Sequence, residues 1–209
     1  MYSQYKFLYS LYKSLGVKKA LWTLVRILIL PAKKIDSVLP KNGLIFDVGT
    51  GQGALANFLT FNSPLRNIIG IDLSKSRIND AKKTVKARKN IRFIYGDALK
   101  IKLPVADSYL IVDVLHHIPY QDQKKLLSHI ASLLKKDSCL VIKEIDKSNF
   151  LPHFFGQIFE KYLYPKERIY ARSKNDWLEL ISSLGLGCKI EKGNTYFPDS
   201  TLIFVSKKK

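Results

Sequence analysis

The chain has 209 residues, 46% of them hydrophobic and 25% charged, which suits one globular domain and excludes two full-sized ones. Its two cysteines, Cys139 and Cys188, are too few and too far apart for a disulfide framework or a CxxC zinc site, so no metal centre is expected and a reducing cytoplasm is the default. The net charge of +18 invites polyanions, yet 28 of the 35 cations are scattered lysines rather than the arginines of bidentate recognition, which suits a basic surface or an anionic membrane better than specific nucleic-acid binding.

Residues 1–40 read as a helical, amphipathic segment ahead of the main domain. Tyr2, Tyr5, Phe7, Leu8, Tyr9, Leu11 and Tyr12 interleave with Lys6 and Lys13, the pattern of a cationic helix packed on the domain or lying on a membrane. Ala20 to Leu30 is the longest apolar run, but its 11 residues include Arg26 and fall short of the roughly 20 that a membrane span needs. Pro31-Ala32-Lys33-Lys34 follows it, which is no secretory cleavage site.

From Gly43 onward, short β-like runs alternate with stretches of helical period, the pattern of βα units around a parallel sheet. Strands are predicted at Leu44–Val48, Asn67–Ile71, Ile91–Tyr95, Tyr109–Asp113, Cys139–Glu144, Gly187–Glu191 and Leu202–Ser206. Helices are predicted at Ala54–Thr60, Lys75–Ala87, Gln121–Lys135 and Asn175–Leu184. The third of these recurs with Leu126, Leu127, Ile130, Leu133 and Leu134 on one face. Residues 147–174 are too long for a plain connection, and their aromatic residues, with His153 among them, suggest an inserted lid over a ligand crevice.

Ile45 to Leu59, IFDVGTGQGALANFL, carries the chemistry. An apolar strand ends at Asp47-Val48, Gly49, Gly51 and Gly53 follow, and a helix begins, so backbone free of side chains meets a positive helix terminus. Gly49-x-Gly51-x-x-Ala54 also satisfies the loose dinucleotide fingerprint, and the run alone leaves both nucleoside readings open. Three carboxylates narrow it. Asp47 at the strand end suits a cationic amine, Asp72 after the second strand suits the two hydroxyls of a ribose, and Asp97 beside Ala98 after the third suits an adenine amino group. Ser74 offers a cap for the next helix.

The runs DVGTGQG, GIDLS, YGDAL and DSYLIVDVLHHI together resemble the class I S-adenosylmethionine-dependent methyltransferases, particularly small-molecule members of the ubiquinone and menaquinone biosynthesis type. The resemblance is clear from Lys41 to Glu144. It implies an α/β, Rossmann-like domain over residues 41–209, with a seven-stranded, mostly parallel sheet, helices on both faces and an antiparallel last strand. It also implies S-adenosyl-L-methionine across the carboxyl ends of the first, second and fourth strands. Asp47, Gly49, Thr50, Gly51 and Gly53 would then surround the methionine portion, Asp72 and Leu73 the ribose, Asp97 and Ala98 the adenine, and Asp113 and Val114 the methyl group. Thr50 stands where many relatives have cysteine or serine. His116, His117 and His153 are candidates for a general base, although paired histidines in such sequences often serve structure.

The expected function is methyl transfer to a small, hydrophobic or lipid-like acceptor, by an enzyme of the cytoplasm or the inner face of a membrane. The charge motivates RNA or protein methylation as the alternative, against which stand the absence of an Asn/Asp-Pro-Pro-aromatic run and of a Pro-Cys context at either cysteine. A nicotinamide-dependent oxidoreductase is the alternative from another class.

Overall fold

The computed structural model describes residues 2–148, 168–193 and 201–209. Among these residues seven strands make one sheet: β1 (Gly43–Val48), β2 (Arg66–Asp72), β3 (Ile91–Tyr95), β4 (Ser108–Val112), β5 (Cys139–Ile145), β6 (Leu186–Lys192) and β7 (Thr201–Lys208). Their order is β3-β2-β1-β4-β5-β7-β6, with β1 to β5 parallel and β7 antiparallel to both of its neighbours. The mixed sheet expected from the sequence is therefore present, last strand included.

The strands are nearly continuous apolar runs because both faces of the sheet are covered. Alternate side chains feed two cores. Ile45, Ile68, Leu110, Val141 and Ile203 pack with α1 (Tyr2–Lys13), α2 (Val17–Ile29), α3 (Ala32–Val38), α4 (Ala54–Asn62) and α5 (Lys75–Val85). Phe46, Ile71, Tyr109, Ile111, Ile142 and Phe204 pack with α6 (Tyr120–Leu133) and α7 (Lys174–Ser183). The core-facing leucines predicted for α6 are in place, with Leu126, Leu127 and Ile130 buried.

The N-terminal helices are part of this packing. α1 buries Leu8, Leu11 and Tyr12, and Phe7 stacks on Phe61 of α4 with ring centroids 4.5 Å apart. α2 is different, since it buries only Ala20, Thr23 and Ile27 and leaves Leu21 and Leu28 more than half exposed. Among the described residues no helix is long and apolar enough to cross a membrane. At the amino edge of the sheet, fully buried Arg66 donates to the Pro40 carbonyl at 2.7 Å and to the Leu59 carbonyl at 3.1 Å, and pairs with Asp36, which fastens α3 to β2.

Local chemistry sets the ends. Ser74 caps α5 by accepting from the Arg77 N–H, as its position predicts, while α5 stops at Val85 rather than Ala87 because Lys86 adopts φ 52°. Ser173 and Asp176 form a capping box at the start of α7. The predicted fourth strand runs one residue too far: β4 ends at Val112, and Asp113 turns out of the strand with φ 53°. A single turn of 3₁₀ helix, Leu115–His117, then follows, where the sequence reading placed no element.

Candidate active site

The helices after β1 and β4 leave toward opposite faces, so the sheet's carboxyl edge opens where these neighbouring strands diverge. A cavity of about 880 Å³ lies there, within the size range of small-molecule sites. Asp47, Gly49, Thr50, Gly51, Asp72, Leu73, Asp97, Ala98, Asp113, Val114 and His117 all line it. Gly53 and His116 do not reach the wall, and His153 lies outside the described residues, with most of the 147–174 segment.

The turn after β1 is anchored by the Gly49 and Thr50 N–H groups, which both donate to the Ile71 carbonyl, at 2.8 and 3.0 Å. Its three glycines all have positive φ but serve different ends. A Cβ on Gly49 would collide with the Val114 side chain, and one on Gly53 with the Phe93 ring, whereas a Cβ on Gly51 would meet nothing within 4 Å. The sequence reading expected all three to border a ligand; Gly49 and Gly51 line the cavity, while the space beside Gly49 and Gly53 is taken by the side chains of Val114 and Phe93. The Thr50 side chain sits over Gly70 of β2, in room that a larger residue would fill.

Asp72 organises the floor. One carboxylate oxygen accepts from the Gly51 N–H and the other from the Ser74 N–H, both at 2.8 Å, so the carboxylate ties the turn to the start of α5. Asp97 accepts from the Leu99 N–H at 2.9 Å. Asp47 is 3% exposed and makes no ion pair among the described residues. Burial pushes its carboxyl up to about 7; the Thr50 hydroxyl opposes this, and the nearby Asp72 charge adds to it.

The β5 side of the cavity holds charges the sequence reading passed over. Lys143, 6% exposed, donates to Asp113 at 2.7 Å. Burial alone would raise the Asp113 carboxyl, but Lys143, His116 and Arg26 together hold it below the ordinary value. Next in the strand, buried Glu144 accepts from the Val114 and Leu115 N–H groups at 3.0 and 2.7 Å and meets His116 Nδ1 at 2.6 Å. The available signal was the pair of consecutive charges inside CLVIKEI, a strand buried on both faces, where a charge persists only if it is paired.

The two histidines thereby separate. His116 points into the protein and is held by Glu144, while His117 lines the cavity with its ring centroid 4.1 Å from that of His116. Burial, with His116 adding, pushes the His117 imidazole down to about 4. The Tyr170 N–H donates to the His116 carbonyl at 2.7 Å, and Arg172 donates to Gln123 at 2.7 Å, so residues returning from the 147–174 segment are fastened to this turn.

α2 contributes Trp22, Val25, Arg26 and Ile29 to the wall. α1 reaches the site indirectly: Tyr12 Oη donates to the Gln52 carbonyl at 2.6 Å, inside the glycine turn, and accepts from Asn57 at 3.1 Å.

The strand order, the glycine turn and the carboxylates at the ends of β1, β2 and β3 define a Rossmann-like methyltransferase domain, and the comparisons with known proteins agree. Residues 45–137 match the family described as methyltransferase domain. It is similar to a malonyl-[acyl-carrier protein] O-methyltransferase of Paenibacillus sp., with 25% identity over 68% of this chain and 54% of the relative. It is also similar to the demethylmenaquinone methyltransferase of Thermotoga maritima, with 29% identity over 57% of this chain and 50% of the relative. The chain thus spans about half the length of these curated relatives. The fold is shared with human N-acetylserotonin methyltransferase in complex with SAM, at a TM-score of 0.72 and 22% identity over 94% of this chain and 57% of that one. It is shared too with magnesium protoporphyrin IX methyltransferase from Synechocystis with bound SAH, at 0.68 and 21% over 85% and 82%.

The residues present fit S-adenosylmethionine: a buried carboxylate at Asp47 with no ion-pair partner among the described residues, open space at Gly51, and a cavity large enough for a nucleoside with its amino-acid arm.

Proposed function

We propose that this protein transfers a methyl group from S-adenosylmethionine to a small, hydrophobic or lipid-like acceptor that it meets at an anionic membrane surface. The observation that carries the transferase reading is Asp47, buried at the cavity wall and without an ion-pair partner among the described residues. A carboxylate so placed is ready for the cationic end of the cofactor. Asp72, its lone pairs oriented by Gly51 and Ser74, takes the ribose hydroxyls, with Leu73 over the ring; Asp97 and Ala98 take the adenine. Asp113 and Val114 border the reacting end. The cofactor, when bound, supplies an activated methyl on a sulfonium, so the chain has chiefly to align the acceptor and exclude water. His117, neutral at physiological pH, is the residue able to take an acceptor proton, while His116 positions the turn through Glu144.

The membrane part rests on α2 and its surroundings. Residues 1–35 contain seven cations, Lys6, Lys13, Lys18, Lys19, Arg26, Lys33 and Lys34, and no acidic residue. Leu21, Val25 and Leu28 form an exposed apolar strip between them, and Val25 also lines the cavity. Charge and apolar strip together complement an anionic bilayer, and a lipid-like acceptor would pass from it along α2 into the site.

The transferase reading is tested by calorimetric titration with S-adenosylhomocysteine: wild type binds, Asp47→Asn and Asp72→Asn bind at least tenfold more weakly, and a wild type that takes no ligand refutes it. Flotation with phosphatidylglycerol vesicles tests the membrane part. Wild type is expected to float and Leu21→Glu/Leu28→Glu to stay at the bottom; equal behaviour of the two removes α2 from the interface. Tritium transfer to bulk RNA but not to lipid extract would favour the RNA alternative.

A further inference from the structure

Lys143 is a buried cation whose only acceptor among the described residues is Asp113, at 2.7 Å. An ammonium has three N–H donors, and burial without partners is costly for each of them. Lys143 lines the cavity, so whatever fills the cavity must meet the remaining donors. Its location tells the two occupants apart. The glycine turn and Asp72 follow β1 and β2, whereas Lys143 stands on β5, across β4 from them. Ile145, two residues on in the same strand, lines the cavity with it, α2 adds Trp22 and Ile29 to the lining, and Arg26, whose charge acts on Asp113, is a second cation of the cavity.

Resting on the transferase reading above, we infer that Lys143 receives an oxygen of the acceptor, and that the acceptor is an amphiphile with an apolar body along α2 and a carboxylate, enolate or phenolate head at Lys143. The head is thereby held beside Asp113, at the border of the reacting end, and Lys143 stabilises its negative charge. Asp113 keeps Lys143 in place and partly offsets its charge. Lys143 is in this sense the residue that selects an anionic oxygen head over a neutral one or an amine.

The test uses the full chain saturated with S-adenosylhomocysteine and titrated calorimetrically with decanoate, decanol and decylamine, which share a tail and differ in the head. Decanoate is expected to bind at least tenfold more tightly than decanol, with decylamine weakest. Lys143→Met is expected to erase the preference for decanoate while its affinity for S-adenosylhomocysteine stays within twofold of wild type, and Lys143→Arg to keep most of the preference. Decanol binding as tightly as decanoate in wild type overturns the inference, an arm that needs no variant to fold. Equal decanoate binding by wild type and Lys143→Met reduces it to general attraction by a basic surface and overturns it too. If Lys143→Met instead loses S-adenosylhomocysteine and keeps the decanoate preference, Lys143 serves the cofactor's carboxylate and the inference falls. Failure of the wild type to bind S-adenosylhomocysteine at all is the separate result that removes the transferase reading itself.

Discussion

Asp47 and His117 are displaced from their ordinary values in opposite senses of stability. Asp47 is raised to about 7, so the protonated native form is favoured: the stability this contributes is complete below about pH 4 and is lost as pH rises through about 7. His117 is lowered to about 4, so its contribution is present above about pH 6.5 and is lost as pH falls through about 4. Thermal melts of the ligand-free protein between pH 4 and 8 are therefore expected to change shape in two ways: Asp47→Asn removes the decline toward neutral pH, and His117→Asn removes the decline toward acid. Binding a cation at Asp47 requires its ionised form, so affinity for S-adenosylhomocysteine should rise by at most about tenfold per unit up to pH 7 and then level off, a dependence that Asp47→Asn abolishes. The glycines give a second contrast. Alanine at Gly51 faces only the left-handed backbone cost of about 1–2 kcal/mol, whereas alanine at Gly53 adds a collision with Phe93. Melting temperature should fall further for Gly53→Ala, and affinity for S-adenosylhomocysteine should fall for Gly51→Ala at a smaller loss of stability.

The 3₁₀ turn at Leu115–His117 shows how one side chain holds a functional segment. Glu144 serves three donors there, the Val114 and Leu115 N–H groups and His116 Nδ1, and Leu115 and His116 are buried with it. Each donor left without a partner costs about 1–3 kcal/mol, so Glu144→Ala is expected to destabilise by several kcal/mol and to lower the melting temperature by about 10 °C or more. Glu144→Gln retains part of the capping and should fall between. This turn was hard to read because its partner lies about thirty residues away in β5, and nothing in the LHHI stretch itself says which imidazole turns inward. By contrast β1 to β5 and the helices α4 to α6 were legible, because apolar runs bounded by glycine, proline and serine give their period and ends directly. β7 was legible as a strand, yet its extension to Lys208 depends on pairing with Leu186 of β6, which no local pattern contains.

The N-terminal helices and the two cores determine what the molecule tolerates as a body. α1 and α2 cover α4 and supply one wall of the cavity, so removal of residues 1–31 would bare Leu55, Phe58 and Leu59. Such a truncation is expected to aggregate or to melt at a markedly lower temperature in a dye-based thermal scan, whereas Leu28→Glu, at a position 57% exposed, should melt within a few degrees of wild type. The sequence showed that these helices exist and carry charge, but their docking depends on long-range partners such as Tyr12 with Gln52, which composition does not disclose. The carboxylates of the cavity wall were legible because they follow strands at short, regular intervals; Lys143 was not, because a lysine in a strand reads as solvent-facing until both faces are known to be covered. The Val114 side chain, seated where Gly49 has no Cβ, has a consequence for redesign. The two neighbouring bends of the sheet edge interlock like adjoining teeth, so a bulkier residue in one has to be answered by a smaller one in the other, and the pair can be remodelled only together.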